Sequence, residues 1–202
     1  MLTSGRILLS HDLLRDSRLF ALLLGIDREF AAQVRGARCL NCGGRLDAAN
    51  FPRKPRGGPP PELKAEYSKR FSLCCDVDGC RTRATPPSVR FLGSRVYVGA
   101  VVILVSAMFH GVTEKRLAEL RQTVHPTLSA QTLLRWRAWW RQTLPALPFW
   151  RQARAHFARP VDESGLPASL LARFGGALRE RLVAALKFLA PLSTRSRFAR
   201  AG

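Results

Sequence analysis

Five cysteines, gathered in two clusters, are the residues of this chain whose types and spacing could do chemistry. The first cluster is Cys39-Leu40-Asn41-Cys42-Gly43-Gly44, and the second is Cys74-Cys75-Asp76-Val77-Asp78-Gly79-Cys80. Zinc takes four ligands in a tetrahedron, and cysteine thiolates suit it. Cys39-x2-Cys42 offers two sulfurs from one tight turn. The glycines that follow tolerate the positive φ that a metal-binding turn needs. Cys75-x4-Cys80, with Gly79 just before the last thiol, offers the other two. Alternation along Arg70-Phe71-Ser72-Leu73-Cys74-Cys75 predicts a strand on which only one of the adjacent cysteines faces inward. Cys75 is preferred because it closes the tighter loop, and Cys74-x5-Cys80 stays open as the alternative. The expected ligands of one structural Zn2+ are therefore Cys39, Cys42, Cys75 and Cys80. Clustering argues against scattered buried thiols, and the expected absence of a secretory signal argues against disulfides. Four thiolates leave no position for a reactive water, so such a metal would be structural, not catalytic.

Charge is the second signal. The 202 residues carry 33 basic and 14 acidic side chains, a net charge of +19, and arginine supplies 28 of the basic ones. Guanidinium forks match phosphate geometry, so an arginine-heavy surface suits a nucleic-acid backbone. A GC-rich genome would explain arginine over lysine, but not the excess of base over acid. Catalytic patterns are missing. Gly57-Gly58 and Gly175-Gly176 lack the flanks of a phosphate-binding loop. No cysteine outside the clusters can act as a nucleophile, His110, His125 and His156 are dispersed, and the His/Cys-x-Glu half-motif of zinc deaminases is absent. The sequence predicts a protein that is not an enzyme. The longest apolar run, residues 96–109, falls short of the roughly 20 residues of a membrane span, and the expected setting is the cytoplasm with no membrane partner.

The elements that must position these residues follow from periodicity. The fold expected is mainly α with a small β zinc ribbon, followed by a helix-turn-helix-like three-helix unit and a C-terminal helical segment. Four segments result: an N-terminal helical segment at 1–36, a zinc ribbon with a basic Pro/Gly loop at 37–92, a helix-turn-helix-like unit at 93–145, and a C-terminal helical segment with a basic tail at 146–202. In the first, Leu13, Leu14, Phe20, Leu23 and Leu24 make an apolar face, Gly25 is expected to break it, and Asp27 to cap a second short helix ended by Gly36. Within the ribbon, Phe51-Pro52-Arg53-Lys54-Pro55-Arg56-Gly57-Gly58 reads as a loop. Arg53, Lys54 and Arg56 could lie along a phosphate backbone, or the loop could simply be solvated. Arg81, Arg83 and Arg90 leave the second cluster on an extended segment and offer further phosphate contacts.

Val98, Val101, Val102, Val105 and Phe109 then fall on one helix face, closed by Gly111. Thr113 should cap a second helix at 114–120, and Ser129 a third. Leu144-Pro145-Ala146-Leu147-Pro148 is expected to end that third helix. Its exposed face should carry Gln131, Arg135, Arg137 and Arg141, while Leu133, Leu134 and Trp136 anchor it. Gln pairs bidentately with adenine and Arg with guanine, so this helix is the expected reader of duplex DNA. Three core helices with an arginine-coated face are the plainer alternative. The stripe Leu178, Leu182, Val183, Leu186 and Leu189 could close the core, self-associate or dock on a partner. The tail arginines Arg195, Arg197 and Arg200 complete the basic inventory.

Taken in order, Cys39-x2-Cys42-Gly43-Gly44, Cys75-x4-Cys80-Arg81-x-Arg83, Gly111-x-Thr113 and Ser129-x2-Thr132-Leu133-x-Arg135-Trp136 resemble the front end of insertion-sequence transposases. In that family a zinc ribbon precedes a helix-turn-helix that grips the element's terminal repeats. The likeness covers about residues 38–142. It extends to small stand-alone bacterial proteins that travel with mobile elements. The transposase catalytic core does not fit: residues after 142 hold only Asp162, Glu163 and Glu180 as acids. The resemblance therefore implies an accessory or regulatory DNA-binding protein. The alternatives are an RNA-binding ribbon protein stacking bases on Phe71, Phe91 and Trp139, and an adaptor docking on a transposase or integrase.

Overall fold

Helix α1, Ser17–Gly36, begins where the Asp16 carboxylate accepts the backbone N–H of Arg18 at 2.9 Å. The computed structural model describes residues 12–57, 61–92, 97–108 and 113–194. Leu19, Phe20, Leu23, Leu24 and Ile26 are buried along one side of α1. The expected break at Gly25 does not occur. A glycine costs a helix interior about 1 kcal/mol, and its buried neighbours Leu24 and Ile26 each recover more than that, about 2 kcal/mol. Asp27 is consequently not a cap. It lies inside the helix, fully buried, in an ion pair with Arg90.

The cysteine-bearing segment forms small antiparallel sheets. Its strands are β1 (Leu46–Ala48), β2 (Phe51–Pro52), β3 (Lys69–Arg70), β4 (Leu73–Cys75) and β5 (Arg83–Ala84). One sheet has the order β1-β4-β5, with Leu46 opposite Cys75 and Leu73 opposite Ala84. The other pairs β2 with β3. A 3-10 turn, Pro61–Leu63, and a one-turn helix α2, Lys64–Tyr67, connect β2 to β3. The alternation expected on β4 is present: Leu73 and Cys75 are buried and Cys74 is not.

Helix α3, Gly99–Ala107, is buried at every residue from Gly99 to Val105. Sequence periodicity assigned this helix one apolar face; it is enclosed on every side. Phe109, His110 and Gly111 lie outside the described residues, as do Arg95, Val96, the loop at 58–60 and the tail arginines. Helix α4, Glu114–Thr123, is capped by Thr113 and buries Leu117 and Leu120. Helix α5, Ala130–Ala138, is capped by Ser129, whose hydroxyl accepts the Thr132 N–H at 3.2 Å. Both caps are where the sequence puts them. Because α4 runs on to Thr123, only residues 124–129 separate it from α5.

Pro145 does not stop the third helix. The chain passes from α5 into a π turn, Trp139–Thr143, and then a short helix α6, Leu144–Ala146. In the π turn the Leu144 N–H reaches back five residues to the Trp139 carbonyl. Proline cannot donate and its ring crowds the carbonyl four residues earlier; the wider turn accommodates it. The helix ends at Leu147, which is extended, the conformation favoured before a proline. Helix α7, Pro148–Ala153, buries Trp150, whose indole N–H donates to Glu163 at 2.8 Å. Helices α8, Ala168–Leu171, and α9, Leu178–Leu189, follow, and a 3-10 turn at Ala190–Ser193 succeeds them.

Residues from Leu14 to Ala190 share one hydrophobic core. Within it, α9 packs on α3 and buries Leu182, Leu186 and Leu189. A second, small cluster consists of Cys39, Leu46, Leu73 and Cys75, with Val34, Cys80 and Ala84 packed against it. Among the described residues, no helix is long and apolar enough to cross a membrane.

Candidate metal centre and basic helix

Two tight turns bring four cysteines together. The first follows α1: Gly43 donates to the Cys39 carbonyl at 2.8 Å and Cys39 to the Gly44 carbonyl at 2.9 Å. The second follows β4, where Cys80 donates to the Val77 carbonyl at 3.1 Å. Gly43 and Gly79 take positive φ in these turns, and so do Arg38 and Arg81 beside Cys39 and Cys80. Gly44 is required for a different reason. A Cβ there would lie 2.5 Å from a Val77 methyl and 3.0 Å from the Cys75 sulfur, so the two turns can close on each other only over a bare backbone.

The sulfurs of Cys39, Cys42, Cys75 and Cys80 all lie within 4.8 Å of one another. Cys42 and Cys75 are 3.4 Å apart, Cys39 and Cys80 3.7 Å. Disulfides would require about 2.05 Å. Zn–S bonds of about 2.3 Å in a tetrahedron imply sulfur separations of about 3.8 Å, which these approach. The group could hold a metal ion. Cys74 does not belong to it. Its thiol faces the carbonyls of Cys75 at 3.6 Å and Arg81 at 3.5 Å, on the opposite side of β4. Pleat direction therefore decides between the two adjacent cysteines.

Electrostatics differ sharply among the four. The Thr82 hydroxyl first, then the Asn41 amide and the Thr82 N–H, hold the Cys80 thiol down to about 5. At Cys75 the Val77 N–H acts to lower the pKa, but burial and the neighbouring thiols outweigh it and push the group up to about 12. A bound cation would be met by one ready thiolate and would displace protons elsewhere, the usual linkage of metal to proton release.

The base of this segment is held by a residue expected at the surface. Arg90 is fully buried. Its Nε donates to Asp27 at 2.7 Å, and its two Nη atoms donate to the carbonyls of Tyr67 at 2.8 Å and Lys69 at 2.9 Å. The Asp27 carboxylate also accepts the Ser88 hydroxyl at 2.5 Å and the Val89 N–H at 2.7 Å. The guanidinium sits over the rings of Tyr67, Phe71 and Phe91. Arg90 is thus unavailable to an external phosphate. Arg70 is buried beside it and donates to the Pro86 carbonyl at 2.5 Å; burial brings its pKa down to about 10. The sequence signal for this cluster was an acid on the apolar side of α1. Its partner, 63 residues away, could not be read from spacing.

The basic loop is also less free than its composition implies. Arg53 is half-buried over the Phe91 ring at 5.0 Å. Gly57 is buried, and the Arg56 carbonyl accepts the Val98 N–H at 3.1 Å. Lys54 and the Arg56 side chain stay exposed. Arg56 lies over Tyr97 at 6.0 Å, and Tyr97 packs edge-on against Trp136 of α5 and against His125. Burial, and then the Arg56 charge, lower the His125 pKa. Arg56 therefore stands beside the turn that leads into α5. Arg81 and Arg83 are exposed, on the second cysteine turn and on β5.

On α5 and its π extension, Gln131, Arg135, Arg137 and Arg141 are all exposed. Leu133, Trp136 and Trp140 are buried. Leu134, expected to anchor the helix, is instead 46% exposed, between Gln131 and Arg135. It lies one residue round the helix from Leu133, about 100°, and leaves the core stripe. No protein-family model, no curated protein and no solved structure matches the chain.

Proposed function

We propose that this protein binds duplex DNA through α5 and that a structural Zn2+ folds its cysteine-bearing segment into a zinc ribbon. The observation that supports DNA binding best is the exposed row Gln131, Arg135, Arg137 and Arg141 on a helix anchored by Leu133, Trp136 and Trp140, in a chain of net charge +19. The succession of α3, α4 and α5, with N-caps at Thr113 and Ser129, supports a helix-turn-helix reading. Arg56, Lys54, Arg81 and Arg83 would add phosphate contacts, while Gln131 and Arg135 would read bases. An all-sulfur donor set at these separations suits zinc, and thiols stay reduced for it in the cytoplasm. The accessory or regulatory role at a mobile element rests on the motif resemblance alone.

An RNA-stacking mode is less favoured. Phe91 is 2% exposed, with Arg53 and Arg90 over its ring, so a base could stack there only by displacing both. Docking on a transposase or integrase through the α9 stripe is less favoured too, because Leu182, Leu186 and Leu189 are already in the core.

The test is titration of a short labelled duplex at several salt concentrations. Log affinity should fall steeply and linearly with log salt, and a flat response removes the reading. Arg135→Gln should cost about 1–3 kcal/mol and relax specificity if Arg135 reads a base. An equal loss on every sequence would make it a phosphate contact. Single-stranded RNA should compete poorly.

A further inference from the structure

Two buried polar atoms near the π turn have no hydrogen-bond partner among the described residues: the Ser106 hydroxyl and the Trp140 indole nitrogen. Such atoms are rare in folded proteins, and each asks for a reason. Both residues line the same small pocket, together with Arg137, Arg141 and Leu166. Trp140 is 1% exposed, whereas Arg137 and Arg141 are exposed. Buried donors thus sit beside a guanidinium-bearing opening.

The chemistry of the lining is one-sided. An indole N–H only donates, a guanidinium only donates, and a serine hydroxyl can donate. No carboxylate lines the pocket. Water could satisfy the indole but would bring no negative charge toward the Arg141 guanidinium. An oxyanion does both, and arginine forks match phosphate oxygens in particular. Size narrows the choice further. A cavity of about 30 Å³ takes one or two oxygen atoms, since roughly 10–15 Å³ of such space holds one water. A base or a nucleoside does not fit.

Backbone geometry points the same way. Trp140 and Arg141 belong to the π turn, and Arg137 precedes them at the spacing that places i, i+3 and i+4 on one helix face. Single π turns inside helices occur often at functional sites. We propose that Ser106, Arg137, Trp140 and Arg141 form a socket for one phosphate group, which inserts one or two oxygens and stays outside with the rest. The group comes either from a nucleic-acid backbone or from free phosphate. The socket's chemistry does not depend on the DNA-binding reading, although a backbone phosphate would join the two.

The test follows the Trp140 indole N–H resonance in metal-loaded, isotope-labelled protein, assigned by through-bond experiments so that Trp140 is not replaced. The titrants are a short mixed-sequence duplex, inorganic phosphate, and chloride at matched ionic strength. The duplex or phosphate should shift the resonance and chloride should not. Arg141→Gln and Ser106→Ala should each weaken the response about tenfold, the loss expected for one hydrogen bond with a charged partner. Response to the duplex alone identifies a backbone phosphate; response to inorganic phosphate identifies a free anion. A resonance unmoved by both overturns the socket, and so does an equal shift in Arg141→Gln. Salt-dependent duplex binding with an unmoved Trp140 would sink the socket and spare the DNA reading. A phosphate response without duplex binding would do the reverse.

Discussion

At the scale of single residues, adjacent cysteines with different surroundings carry opposite expectations. Cys75 lies in the sulfur cluster and Cys74 across the strand from it. Cys75→Ser should abolish stoichiometric metal binding, and Cys74→Ser should leave it intact. Native mass spectrometry and the absorption spectrum of the cobalt-substituted protein would check both. Equal loss in the two variants would contradict the observed strand face. Metal uptake should also weaken as pH falls. Cys75, pushed up to about 12 without metal, must surrender its proton to become a ligand, and each added proton in solution opposes that step. Proton release on metal addition, measured in weak buffer near neutral pH, should be non-zero; its absence would show that the thiols were already ionised.

Elements are governed here by their ends more than by their propensities. Helix α5 starts at Ser129 because its hydroxyl satisfies the Thr132 N–H; one orphan donor of the first turn is thereby paired. Ser129→Ala should destabilise the protein by about 1 kcal/mol. It should also weaken duplex binding only as far as the helix start frays. Denaturant titration measures the first effect and anisotropy the second; an unchanged midpoint would remove the cap from the account. At the other end Pro145 and Pro148 divide labour. The first follows the π turn without ending the helix, and the second follows an extended Leu147 where the helix stops. The widened turn also brings Trp140 and Arg141 to the pocket, so the irregularity lies next to a candidate binding site.

At the scale of the whole molecule, two hydrophobic clusters of unequal size share the fold, and a buried charge pair lies beside the larger. The large core runs from α1 to α9, and the small one holds little more than Leu46, Leu73 and the cysteines. With a metal bound to its cysteines, so small an apolar cluster would draw much of its order from the ion. Chelation should therefore speed hydrogen exchange in β1, β4 and β5 while α3 and α9 stay protected. Uniform protection after metal removal would show that the sheet stands unaided. The Asp27–Arg90 pair ties α1 to the carbonyls of Tyr67 and Lys69. Both side chains are 0% exposed, so removing one leaves the other charge in a dry interior. Asp27→Ala should cost about 3–5 kcal/mol in an equilibrium unfolding measurement, whereas a well-packed apolar replacement of both should cost much less. Equal losses would mean that the pair is favourable beyond its own desolvation.

Local chemistry was legible in the sequence. Cysteine spacing, the strand alternation before Cys75, the N-caps Thr113 and Ser129, and Leu182, Leu186 and Leu189 of the α9 stripe depend on neighbours within a few residues, and the structure agrees with each. Tertiary structure alone decided the rest. Gly25 stays helical because the core holds both sides of it, Arg90 is spent on Asp27 of a distant helix, and Arg53 is drawn onto Phe91. The pairing of Ser106 with Trp140 in one pocket belongs to the same class. An arginine's charge is written in the chain, but whether it faces water or a carboxylate depends on what the fold places beside it. Burial is a long-range property, and spacing carries only short-range information.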